Sequence, residues 1–390
     1  MWLLSTDRAE LQFFPTVEAA QQQVYAILSH VWDASGEQSF QQTQELRAQC
    51  QRTGAIPRDL SSPKVRESCM IAERHGYKWI WNDTCCIDKT SSADLSEAIN
   101  SMYVYYARAE VCYAYLADVP NVGDTDEQDA LFRRSRWHTR GWTLQELIAP
   151  DVVVFLSAQW QVMGTKADRA AHLQEITAVP ATILRLEEEI RNISVARRLS
   201  WAAARVTTRP EDEAYCMMGI FEINMPTLYG EGRNAFQRLQ EEIMRKNIDT
   251  TLFAWGDVDH KLPSTIDPWD RLDYPEMYLF APSPEQFGGS SKVEFSPRAM
   301  QKLGGSFTRK SQPVDVSDFR RPPKSRVAEC LGVRMKELMR GYFHHQSQMK
   351  TQNKPLLYSL YHMASMLNVA RRMRYSSLPT SIYLCLHSAR

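Results

Sequence analysis

The strongest constraint on the fold is a series of short apolar runs, each closed by a polar residue. Val24-Tyr25-Ala26-Ile27-Leu28-Ser29 is followed by Tyr77-Lys78-Trp79-Ile80-Trp81, Val111-Cys112-Tyr113-Ala114-Tyr115-Leu116 and Val152-Val153-Val154-Phe155-Leu156. Runs of this length, rich in β-branched and aromatic residues and nearly free of polar alternation, read as strands buried on both faces. Helical patterns stand between them. Pro63 opens one that runs to about His75, with Val65, Cys69, Ile71 and Ala72 on its inner face and Gly76 as its stop. Ser92 or Asp94 caps another through Arg108, in which Leu95, Ile99, Met102 and Tyr106 recur at helical spacing. A short helix around 142–148 is stopped by Pro150. Strand and helix alternating in units of about 30 residues predict an α/β fold, a mainly parallel sheet with helices on both faces. Its strands are expected at 24–29, 78–81, 111–116 and 152–156, with an edge strand at 1–5.

Beyond this core the pattern turns helical from about 166 to 248, with candidate helices at 167–176, 194–205, 211–218 and 232–246. After Trp255 periodicity weakens. The expected organisation is an α/β core at 1–157, a helical extension at 158–256 and an irregular C-terminal region at 257–390. Charge supports that last division. The chain of 390 residues carries 46 basic and 46 acidic residues, which offers no case for a nucleic-acid partner. Residues 291–390, however, hold 18 basic and 5 acidic residues, leaving 28 basic and 41 acidic in residues 1–290. An acidic body is thus followed by a basic tail. Residues 306–390 are expected to be loosely packed or to depend on an acidic surface for order, with basic helices near 327–345 and 355–375. Eight cysteines without CxxC spacing argue against a disulfide framework or structural zinc. No apolar run reaches the roughly 18 residues of a membrane span, and the N-terminus lacks a signal-peptide core. A soluble protein of a reducing compartment is the expectation.

Standard catalytic signatures are missing: there is no HExxH, P-loop, GxSxG or strand-to-helix GxGxxG. What remains is a row of polar residues at the carboxyl ends of the strands: Ser29 and His30, Asp83 and Asp118. In an open α/β sheet that edge binds ligands where the strand order reverses, although short polar residues also begin loops and cap helices in any such fold. Ser29 and His30, adjacent on a strand, point to opposite faces and so do not pair as nucleophile and base. In Arg140-Gly141-Trp142-Thr143-Leu144-Gln145-Glu146-Leu147-Ile148, helical phase clusters Leu144, Leu147 and Ile148 on one face and sets Trp142 with Glu146 on the other. Two readings stay open. The indole and carboxylate form part of a nucleotide pocket, or Trp142 packs under the helical region while Glu146 pairs with Arg140 or another cation.

Tyr25-Ala26-Ile27-Leu28-Ser29-His30-Val31-Trp32 resembles the opening motif of the fungal heterokaryon-incompatibility (HET) domain. Trp79 to Lys89, Glu97 to Met102, and Arg136-Trp137 with Arg140 to Leu147 resemble its next three blocks, in order over about 125 residues. Asp212 to Phe221, Met225 to Gly232 and Ala281 to Phe287 resemble segments that follow the domain in one HET subgroup. The resemblance implies a role in nonself recognition between fused fungal cells, as an effector of programmed cell death in the cytoplasm. HET domains are distantly similar to TIR domains, which implies a flavodoxin-like sheet, and some TIR domains cleave NAD. Carried over, the TIR catalytic glutamate is Glu146, while the TIR cysteine after the tryptophan is here Thr143. The implied site is Glu146 as catalytic residue, with Ser29, His30, Trp32, Asp83 and Trp142 around the ligand. NAD would be a substrate, with no resident cofactor or metal. The alternative is a non-catalytic signalling module that acts by self-association or through an incompatibility partner protein.

Overall fold

Continuous burial of the strands follows from their sequence. In β3 (Ala26–His30) all five residues are buried, and four of five are buried in β5 (Val111–Tyr115). A computed structural model describes residues 1–123, 125–247, 249–256 and 279–295. The expectations for 306–390 lie outside the described residues. β3 pairs in parallel with β4 (Trp79–Trp81) on one side and with β5 on the other, from Ala26 opposite Val111 to His30 opposite Tyr115. β5 pairs in parallel with β6 (Val153–Leu156). The sheet has seven strands in the order β2-β1-β4-β3-β5-β6-β7.

The edges correct the expectation of a mainly parallel sheet. β1 (Trp2–Ser5), β2 (Leu11–Phe13) and β7 (Val162–Thr165) all pair antiparallel, so three of six pairings are antiparallel and the sheet is mixed. For two of these pairings the cause is connection length. β1–β2 and β6–β7 are joined by short turns, which permit only antiparallel pairing, whereas a parallel pair needs a crossover of a dozen or more residues. β7 also carries the sheet past residue 157. Apart from the extra edge strands, the strands fall within two residues of their expected ends.

The helix Pro63–Arg74 buries Val65, Cys69, Ile71 and Ala72 and is followed by Gly76 at φ +87°. Ser92–Arg108 is capped by Ser91, whose side chain accepts from the Asp94 backbone N–H. A helix at Phe40–Thr53 escapes the apolar-run reading. Its start is a reciprocal cap, with Ser39 and Gln42 each bonding the other's backbone, and its end is Gly54 at φ +75°. The extension contributes shorter helices than expected, Ala170–Thr177, Ala181–Leu184, Val195–Ser200 and Asp212–Tyr215, then the long Asn234–Lys246. Residues 279–295 return to the extension: Pro284–Ser290 packs on the Val195–Ser200 helix, and Ala281 meets the long Asn234–Lys246 helix. Gln240 brackets Ala281 by donating to its carbonyl at 2.8 Å and accepting from its N–H at 2.9 Å. No helix among the described residues is long and apolar enough to cross a membrane.

Core and extension are stitched together beside the 142–148 helix. Gly141 N–H donates to the Val206 carbonyl at 3.0 Å, and Val206 N–H to the Thr139 carbonyl at 2.7 Å. This approach needs glycine at 141, because a Cβ there would lie 2.4 Å from Thr207 Cγ2 and 3.3 Å from Cys216 Sγ. Gly141→Ala is expected to cost about 1–3 kcal/mol in chemical denaturation, the range for forced overpacking. A change below about 0.5 kcal/mol would mean that the two segments separate without cost.

Candidate functional site

At the carboxyl edge of the parallel strands lies a cavity of about 340 Å³. β3 sends its two neighbouring segments to opposite sides, to β4 and across to β5, so the cavity sits at the reversal of strand order. Its walls bring together His30, Trp32, Asp83, Trp142 and Glu146. Ser29 is fully buried and does not line it; it meets the site through Glu146. Asp118 stands apart and performs the structural task. Its carboxylate accepts from Ser135 Oγ at 2.7 Å and from Arg136 N–H at 2.8 Å, fixing the turn before Trp137.

Glu146 is held by a relay of donors. Trp137 Nε1 donates to Ser29 Oγ at 2.8 Å, and Ser29 Oγ donates to Glu146 Oε2 in a short hydrogen bond. The helix Thr143–Ile148 is buried at every residue, and Glu146 itself is only 6% exposed. Helical phase sets Glu146 away from Leu144 and Leu147, on the cavity side, and residues of the extension cover that side of the helix. Burial pushes its carboxyl up to about 8; the Ser29 hydrogen bond and the charges of Arg205 and Arg140 oppose this, and the Asp83 charge adds to it. No lysine or arginine among the described residues forms an ion pair with Glu146, so the reading of a simple Arg140 partner fails. Arg140 instead donates to Thr208 Oγ1 at 3.2 and 3.3 Å.

Thr143 is tied down by its hydroxyl. Its hydroxyl lies 2.5 Å from the Trp137 carbonyl and 2.9 Å from the Arg140 carbonyl, and it accepts from Arg205 Nη1 at 2.9 Å. A thiol would make these bonds weakly. Arg205 also donates to the Arg140 carbonyl at 2.7 Å, so a residue of the extension fixes the start of the Glu146 helix.

On the opposite wall an Asn82 turn sets Asp83. Asn82 Oδ1 accepts from Thr84 N–H at 3.1 Å and from Thr84 Oγ1 at 2.8 Å. Asp83 Oδ2 then accepts from Trp32 Nε1 at 2.8 Å, pinning an indole that is 49% exposed. Lys89 Nζ lies 3.8 Å from the centre of that ring. His30 is buried, with Nε2 3.8 Å from Glu37 Oε1 and 3.9 Å from Asp83 Oδ1, and neither ring nitrogen makes a hydrogen bond. Burial holds its pKa below the usual imidazole value, so it is neutral near pH 7.

Sequence reasoning missed the wall supplied by the extension. Asp212 Oδ1 accepts from Tyr229 Oη at 2.9 Å, Arg209 lies over the Tyr229 ring at 4.6 Å, and burial raises the Asp212 carboxyl. The signal lay in the motifs around Asp212 and Tyr229, which were recognisable as segments but gave no sign of their position. Among the described residues no cluster of His, Cys, Asp and Glu could hold a metal ion.

A family model described as heterokaryon incompatibility protein (HET) matches residues 25–129, which span β3 to β5 and include His30, Trp32, Asp83 and Lys89. A second, a domain of unknown function (DUF8212), matches residues 234–314. The chain is 40% identical over 228 residues to the vegetative incompatibility protein HET-E-1 of Podospora anserina. That alignment covers 56% of this chain and 16% of the relative, so the chain spans only a small part of the relative's length. No solved structure matches. Together with the four motif blocks, the family model and the relative identify residues 25–129 as a heterokaryon-incompatibility (HET) domain.

Proposed function

We propose that this chain is an effector of heterokaryon incompatibility that triggers cell death by hydrolysing NAD, with Glu146 as the catalytic carboxylate. One observation carries the reading. A buried carboxylate, fixed by the Trp137–Ser29 relay, lines a cavity that also holds aromatic faces and the cations of Lys89, Arg140 and Arg209. That combination suits a dinucleotide: indoles for a flat base, guanidinium groups for a diphosphate. The fold is read as flavodoxin-like and TIR-like. In support, the four parallel strands β4-β3-β5-β6 take the order 2-1-3-4 when counted along the chain.

The chemistry requires few groups. The bond between ribose C1′ and the nicotinamide nitrogen breaks, and its electron pair leaves with the ring as neutral nicotinamide, so no general acid is needed. Positive charge develops at C1′ and O4′, and the Glu146 carboxylate stabilises it. Water then adds to C1′ and gives its proton to the carboxylate or to solvent, leaving ADP-ribose. The ionised form of Glu146 is the working one. A cationic substrate beside it favours that form, and kcat/KM should rise with pH towards about 8.

Non-catalytic signalling through self-association or a partner protein is the second reading. It is favoured by the alignment to a small part of a longer incompatibility protein, as expected of one module among several. Expression of the full chain in fungal cells separates the two. The parent is expected to kill and to deplete cytoplasmic NAD, and Glu146→Gln, at equal abundance, to do neither. Killing by the variant at the parental rate would favour the signalling reading.

A further inference from the structure

Trp32 is an unusual wall for a ligand cavity. Its ring is half exposed, yet its edge is fixed by the 2.8 Å bond from Nε1 to Asp83. A bond from the indole N–H to a carboxylate draws negative charge towards the ring system and fixes which face is open. That face already carries a cation, the Lys89 ammonium at 3.8 Å from the ring centre. Lys89 is exposed as a residue, although burial against the cavity wall lowers the pKa of its ammonium, which sits at the end of a flexible four-carbon stem. The same cavity also presents the Asp83 carboxylate and the neutral ring of His30, which makes no hydrogen bond, while its other cations are Arg140 and Arg209.

We infer that the Trp32 face is a receptor for a planar organic cation, which binds by displacing the Lys89 ammonium from the indole. In the hydrolysis proposed above, that cation is the positively charged pyridinium of oxidised NAD; the uncharged dihydropyridine of the reduced cofactor is disfavoured. Trp32 is then a specificity-determining residue. The inference rests on reading this cavity as the substrate site, but it concerns binding and not bond cleavage. A preformed ring-and-cation pair shows that the geometry is accessible, and an aromatic cation adds stacking area that an ammonium lacks.

The test uses ligands that cannot be hydrolysed at C1′. The full chain is titrated by calorimetry with 1-methylnicotinamide, a cation, and with nicotinamide, its neutral analogue of nearly the same shape. The cation is expected to bind about tenfold more tightly, the order of a partly desolvated cation–π contact. Trp32→Leu should erase the preference, and Trp32→Phe, with a weaker quadrupole, should keep part of it. Lys89→Met should tighten cation binding several-fold by removing the competing ammonium. Equal affinities, no binding of either ligand, or a preference untouched by Trp32→Leu would overturn the inference. The outcomes also separate the two proposals. Cation preference without NAD turnover leaves the receptor standing and removes the hydrolase. Turnover without the preference does the reverse.

Discussion

Glu146→Gln is expected to lower NAD turnover about 100-fold or more, a loss of about 3 kcal/mol in transition-state stabilisation. The substitution is chosen for what it preserves. The glutamine carbonyl still accepts from Ser29 Oγ, so the Trp137–Ser29 relay and the packing of the 143–148 helix remain. Only the charge disappears, and with it the favourable field at C1′. Because only 6% of the residue is exposed, that field is poorly screened by water. A structural role for Glu146 would give a different pattern, with stability falling and residual turnover scaling with folded protein. Circular dichroism beside the kinetic assay distinguishes them.

The same residue controls the second large effect, a dependence of stability on pH. Glu146 has a pKa of about 8 in the folded protein against 4.5 as its ordinary value. The folded state therefore holds a proton that the unfolded chain has already lost between those limits. A raised carboxyl pKa means that stability declines as pH rises through this window and levels off above about 8. At about 1.4 kcal/mol per unit, the decline from this group reaches about 3 kcal/mol by pH 7. Other groups titrate nearby; burial lowers His138 to about 4, and such histidines act in the opposite direction. The informative quantity is therefore the difference between Glu146→Gln and the parent in urea unfolding. It is expected to grow by about 3 kcal/mol in favour of the variant from pH 5 to 8. A difference independent of pH would show that Glu146 is ionised in the folded protein throughout.

How much of this was legible in the sequence depends on burial. β3 and β5 are covered on both faces, so their residues had to be apolar without a break, and the runs show it. β2 and β7 lie at the edges, are three and four residues long, and are largely exposed or half-buried. Nothing forces a pattern on them, and they stayed hidden. The Phe40–Thr53 helix is mostly polar and was missed because apolar spacing was the signal sought, while its Ser39–Gln42 cap was the better one.

The site divides in the same way. Ser29, His30 and Asp83 sit at strand ends, where a polar residue after an apolar run stands out. Glu146 was singled out by resemblance and by phase; phase set it off the core face but left pocket and packed surroundings both open, because the residues that cover it come from the extension. Asp212 and Tyr229 reach the cavity from more than 60 residues beyond Glu146 along the chain, and only tertiary packing brings them there. No local pattern could reveal that approach. Gly141 was one trace of it, small because Thr207 passes so close.

Free nicotinamide is the most direct readout of the central claim. The purified, concentrated chain of residues 1–390 is incubated with NAD at pH 8 and followed by chromatography. Nicotinamide and ADP-ribose should appear in equal amounts, with release nearly abolished in Glu146→Gln. NAD left intact by a folded parent, or cleaved equally by the variant, would contradict the assignment of Glu146 as a catalytic carboxylate.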